Sequence, residues 1–178
     1  MVTIPQENGL KLKIQSQQRA AILIDVQNLF YATLNQYGRT IAYERYLDWA
    51  AGGRPIIRAL AYTVEKADAH QDGFKRLLAG LGCDLRTKLL IERSDGSSKG
   101  NWDVAMAVDA IQIAPRVDVI ILATGDGDFT YLVEALKVIG VRVEVTSVSK
   151  CTAMSLVNAA DEYREIDTKV LMPKRVQR

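Results

Sequence analysis

The sequence is poor in the residues that most often announce a mechanism. It holds one histidine, His70, and two cysteines, Cys83 and Cys151. A single histidine gives a histidine-rich metal site or a Ser-His-Asp triad little to work with, and reads as a lone surface residue. Cysteines in apolar or helical settings, without metal-ligand spacing, argue against a disulfide framework and against structural zinc; both read as reduced core thiols. No apolar run approaches the ~18 residues that span a bilayer, and MVTIPQENGLKLKIQSQQR at the start lacks the apolar centre of a signal peptide. A cytoplasmic location with no membrane contact is expected. No GxxxxGK[ST] loop occurs, and no internal repeat or inter-domain linker is visible.

What the chain has is apolar material and acid. Its 178 residues are 48% hydrophobic, enough for one domain with a respectable core. The net charge of +2 conceals basic ends: Lys11, Lys13 and Arg19 near the start, and Lys169, Lys174, Arg175 and Arg178 at the end. The body between them is acidic. Basic ends on an acidic body attract a polyanion, although such residues also serve simply to keep tails soluble.

β-Branched apolar runs alternate with stretches of helical period. AAILID (20–25), PIIRALAYTV (55–64), CDLRTKLLIE, VDVIILAT (117–124) and VRVEVTSV read as strands. Between them NLFYATLNQYG, YERYLDWAAGG, GFKRLLAGLG, WDVAMAVDAIQIA and TYLVEALKVIG read as helices, most closed by glycine. ERSDGSSKGN reads as a polar loop, and a last helix through SLVNAADE leads to the segment YREID. The pattern predicts an α/β fold in three layers, with a central, mainly parallel sheet flanked by helices.

In such a sheet the C-terminal strand ends and the N-termini of the following helices share one edge, where ligands bind. Asp25 ends the first strand, Asp126 and Asp128 follow the fourth in ILATGDGDFTYL, and Asp103 opens the helix leading into that strand. If the first and fourth strands are neighbours, four carboxylates converge, at a repulsive cost of several kcal/mol at an effective dielectric near 20. Hard cations with oxygen ligands, Mg²⁺ or Mn²⁺, relieve that cost and supply the chemistry for hydrolysing a phosphodiester. Each aspartate also has a plainer reading: Asp128 as a helix cap, Asp103 as a partner of a helix dipole, Asp126-Gly127 as a turn pair. Asp25 has no evident helix dipole to serve.

LIDVQNLF, KGNWDVAMAVDA, TGDGDF and NAADEYREI, in that order, resemble the motifs of the NYN domain of the PIN-like nuclease superfamily, in its bacterial LabA-like branch. The resemblance covers about residues 20–168, leaving a basic extension (1–19) and a basic tail (169–178). It implies a PIN-like fold and a Mg²⁺- or Mn²⁺-dependent ribonuclease, with RNA as partner and Asp25, Asp103, Asp126 and Asp128 as catalytic metal ligands. Asn28 matches the asparagine closing the first motif, where it orients a ligand or loop, or else caps a helix beginning NLFYATL. Thr124 either donates to a metal-bound water or phosphate or merely ends the strand. Lys99 is placed to meet phosphate, or is a solvated loop lysine.

Asp109 lies about 240° around the helix from Asp103 and stays outside the metal shell. Asp161 reads as a helix-end residue. The sequence has no obvious aromatic platform for single-stranded bases; Trp102, beside Asp103, is the one candidate, more often a packed residue in such a position. Two rival readings are a non-catalytic RNA- or protein-binding regulator of the same fold, and a phosphatase or receiver-like protein with Asp25 as phosphoryl acceptor. Against the latter, Asp25-Val26-Gln27 lacks a second aspartate. A homo-oligomer is compatible with all three.

Overall fold

The computed structural model describes residues 17–65, 72–89, 91–92, 98–99 and 102–174. The run AAILID forms strand β1 (Ala20–Asp25), and Ala20 through Ile24 are each 0% exposed. Such an unbroken apolar run suits a strand covered on both faces. Helix α1 (Val26–Tyr37) follows and ends at Gly38, whose φ of 61° is left-handed and suits a residue without Cβ. Helix α2 (Tyr43–Ala51), strand β2 (Ile56–Glu65), helix α3 (Asp72–Gly80) and strand β3 (Asp84–Leu89) complete the first half.

The second half holds helix α4 (Asp103–Ile113), strand β6 (Val119–Ala123), helix α5 (Thr130–Val138), strand β7 (Arg142–Ser147), helix α6 (Met154–Ala159) and strand β8 (Glu162–Glu165). Six strands pair in the order β3-β2-β1-β6-β7-β8, every pair parallel. The strand order turns back between β1 and β6, so the two halves diverge from that seam.

Strand alternation builds the layers. Ile22, Ile24, Ile121 and Ala123 point to one face, where Leu29, Tyr43, Tyr46 and Leu78 of α1, α2 and α3 meet them. Leu23, Ile120 and Leu122 point to the other, against Met106, Leu132, Leu136 and Leu156 of α4, α5 and α6. Each fully buried leucine or isoleucine contributes about 1.5–3 kcal/mol, so both cores pin the β1/β6 seam.

The sequence reading is corrected at several places. Of the single strand expected over CDLRTKLLIE, Asp84–Leu89 forms β3, while Ile91–Glu92 forms a short strand β4 that pairs antiparallel with β5 (Ser98–Lys99), which lies inside the expected polar loop. The segment YREID supplies β8, an edge strand. Cys83 is a buried free thiol as expected, but Cys151 is exposed. His70 and most of the basic ends lie outside the described residues.

A charged cluster lies within the α2 face. Glu144 on β7 is 1% exposed, and its carboxylate accepts two hydrogen bonds of 2.7 Å from Arg54. It also accepts from Arg142 at 3.1 Å and from Arg164 at 3.1 Å. Arg54 and Arg164 donate in turn to the Ala50 and Ala51 carbonyls or to those of Trp49 and Ala50 at the end of α2. Helix-end carbonyls that lack intrahelical donors are thereby satisfied.

Candidate functional site

The seam between β1 and β6 places the site. Ile24 lies opposite Ala123, so Asp25 and Thr124 leave their strands side by side. Asp25 is half-buried at the head of α1, and one carboxylate oxygen accepts the Asn28 N–H at 3.0 Å. The cap of α1 is therefore Asp25 rather than Asn28, because the helix starts two residues earlier than the motif NLFYATL suggested. Asp25 thus does serve a helix N-terminus.

Asn28 sits instead in the first turn of α1, where its Oδ1 accepts the N–H of Gly125 at 2.9 Å. Thr124 is fully buried, and its Oγ1 accepts the Asp126 N–H at 3.2 Å. Asp126 in turn accepts the Asp128 N–H at 3.0 Å, closing a 3-10 turn over Gly127–Phe129 that feeds α5. Asp126, not Asp128, is the capping residue. Gly125 is required by close approach: a Cβ there would lie 2.4 Å from the Cys151 carbonyl oxygen and 2.8 Å from Ser147 Oγ. The turn is held from α1, from its own strand and from the segment before α6.

Helix α4 brings Asp103 to the same edge as its first residue. Carboxylate oxygens of Asp103, Asp126 and Asp128 all lie within 4.8 Å of one another. Asp25 stands outside that trio but lines the same cleft, of about 420 Å³, with Asp103 and Asp126. Burial raises its pKa; the Asn28 N–H opposes that, and the charges of Asp103 and Asp126 add to it, leaving it at about 6.

The remaining candidates divide. Asp109 accepts from Tyr62 at 2.8 Å and from Arg86 at 3.3 Å, away from the trio as its helical phase requires. Asp161 accepts the Val143 N–H at 2.8 Å and pairs with Lys137 at 3.2 Å. Lys99 belongs to β5, and its side chain lies outside the described residues. Trp102 lines the cleft but is anchored by packing: Nε1 donates to the Thr63 carbonyl at 2.9 Å, and its ring meets Tyr62 edge-on. Tyr31 and Cys151 also line the cleft, and neither is among the residues the sequence motifs single out. Tyr31 carries no motif signal in the sequence, and Cys151, expected as a core thiol, is exposed.

The family model of the NYN domain matches residues 19–167, nearly all of the described body. The chain belongs to the NYN domain family. The low amplitude and bright protein LabA of Synechococcus elongatus is 34% identical over 158 residues, 84% of each chain. A crystal structure of a protein of unknown function from Vibrio parahaemolyticus superposes with a TM-score of 0.81 at 37% identity, covering 88% of this chain and 98% of that one. The NYN domain is a branch of the PIN-like nuclease superfamily, whose members generally use divalent metals. Nucleic acid is the partner that membership suggests. No described helix is long and apolar enough to cross a membrane.

The chemistry of the donors in this NYN domain fits such a metal. All three clustered groups offer carboxylate oxygen, the ligand type of hard divalent cations, and among the described residues no histidine or cysteine joins the trio. Three like charges at such range, with a fourth carboxylate whose pKa Asp103 and Asp126 help to raise, present the field that a divalent ion neutralises.

Proposed function

We propose that this NYN domain is a Mg²⁺- or Mn²⁺-dependent ribonuclease that hydrolyses RNA phosphodiester bonds at the β1/β6 seam. The observation that carries the reading is the gathering of Asp103, Asp126 and Asp128 oxygens within 4.8 Å, beside Asp25 in one open cleft. Asp103, Asp126 and Asp128 hold the cation directly, and Asp25 completes the acidic wall, directly or through water. A divalent cation at such a site supplies Lewis acidity, neutralising charge on the phosphate and acidifying water.

The protein's own groups supply position. Asn28 fixes the Gly125 amide, Thr124 fixes the Asp126 amide, and Asp126 fixes the Asp128 amide, so the backbone carrying two of the carboxylates is set before substrate arrives. Preorganisation of this kind limits the rearrangement needed when charge develops on phosphate. Lys99 meets the phosphate backbone as a point charge, and the basic tails draw RNA toward an otherwise acidic body.

The reading is tested by incubating purified protein with mixed RNAs in Mn²⁺, in Mg²⁺ and in EDTA, beside Asp126→Asn. Cleavage in either metal that is abolished by EDTA and reduced at least about a hundredfold in the variant is expected. Binding of RNA without cleavage under every metal condition would move the protein to the regulatory class.

A further inference from the structure

We infer that the outer face of α1 is a base-stacking subsite for single-stranded RNA, with Tyr31 as its platform. The inference rests on the ribonuclease reading above and extends it to how the strand is gripped. Tyr31 is 51% exposed and Phe30 is 41% exposed, and the two rings meet edge-on with centroids 5.3 Å apart at an interplanar angle of 79°. Single exposed apolar residues on a helix are ordinary. Tyr31 differs in its position, since it lines the same cleft as Asp25, Asp103 and Asp126.

The cleft continues beyond it along α1 to Asn35. Asn28, Tyr31 and Asn35 follow helical spacing and so share one face, which runs about 10 Å away from the carboxylates. The ring offers a π-face to a base and Asn35 offers hydrogen-bond groups to its edge, while the Asn28 oxygen is committed to the Gly125 amide. Trp102, which also lines the cleft, cannot serve equally, because Lys88 Nζ lies 4.2 Å from its ring centroid and its indole N–H is bound to Thr63. Among the described residues, Tyr31 is the exposed ring that lines the cleft.

A space of about 420 Å³ is at the low end for organic ligands and is of the size that takes one unpaired nucleotide. A base already paired and stacked within a helix cannot present its face to Tyr31. The subsite therefore selects single strands.

The test compares wild type, Tyr31→Ala and Tyr31→Trp in Mn²⁺ on a short labelled oligoribonucleotide, on its duplex, and on a series with one abasic position each. Tyr31→Ala is expected to raise KM about fivefold or more with a smaller effect on kcat, and Tyr31→Trp to restore it. At one abasic position wild type should lose the same factor, and Tyr31→Ala should lose nothing further. A KM for Tyr31→Ala within about twofold of wild type, equal abasic losses in both proteins, or equal cleavage of duplex and single strand overturns the subsite while leaving the ribonuclease standing. No cleavage of any RNA by wild type overturns both.

Discussion

Asn28 and Gly125, 97 residues apart in sequence, are joined by a 2.9 Å hydrogen bond from the Gly125 amide to the Asn28 side chain. The bond ties the head of α1 to the turn that carries Asp126 and Asp128. It gives Asn28 a definite task, holding the acidic turn against the β1 edge.

Replacing Asn28 by alanine leaves the amide of the buried Gly125 without its acceptor, a loss of about 1–3 kcal/mol. Thermal unfolding of Asn28→Ala should show it, together with weaker Mn²⁺-induced stabilisation, because the turn loses its tether. Asn28→Asp keeps an acceptor oxygen but adds a carboxylate to the cleft of Asp25, Asp103 and Asp126, so it should recover stability in Mn²⁺ and not in EDTA. Equal melting temperatures for wild type and Asn28→Ala would mean that the turn is set by Thr124 and Gly125 alone.

The raised pKa of Asp25, about 6, makes a prediction for the metal-free protein. Unfolded, this carboxyl ionises near its ordinary value of 3.8; folded, it keeps its proton to about 6. Between those values the folded state binds more protons, so the contribution of Asp25 to stability falls as pH rises through the window. The change is on the order of 2–3 kcal/mol. In EDTA, Asp25→Asn should be more stable than wild type at pH 7, with the advantage vanishing near pH 4. Denaturant unfolding of both proteins across pH 4–7 measures it, and a constant difference would contradict it.

Glu144 behaves oppositely. Burial alone would raise its pKa, but the hydrogen bond and charge of Arg54, with Arg142 and Arg164, outweigh burial and hold it below the ordinary value of 4.5. Its stabilising contribution is present above that value and is lost as pH falls through the lower folded one. Glu144→Gln leaves Arg54 buried without its partner and should cost about 3–5 kcal/mol in chemical denaturation at pH 7. A loss under about 1 kcal/mol would show that the arginines find other acceptors.

Much of this was legible in the sequence. AAILID and VDVIILAT announce strands buried on both faces, and glycines mark the helix ends, so the parallel sheet and the shared edge of Asp25, Asp103, Asp126 and Asp128 follow from pattern and topology. The individual tasks were less legible. That Asp25 caps α1 depends on the helix starting at Val26, a shift of two residues that periodicity cannot resolve.

Glu144 reads as one polar position in VRVEVTSV, because its arginines come from positions 54, 142 and 164 and only the folded sheet assembles them. Tyr31 reads as an ordinary helical aromatic, since nothing local says that the face it occupies borders a cleft. Cys151 reads as a core thiol, yet Ser149, Lys150 and Thr152 around it are polar and the turn before α6 carries it to the surface.

The account turns on whether Asp103, Asp126 and Asp128 hold a divalent ion, and calorimetric titration of the metal-free protein with Mn²⁺ measures that directly. Saturable binding is expected in wild type, weakened at least about tenfold in Asp126→Asn, whose fold is otherwise retained. Absence of binding to wild type, or an equal affinity in the variant, would contradict it and leave TGDGDF as a turn.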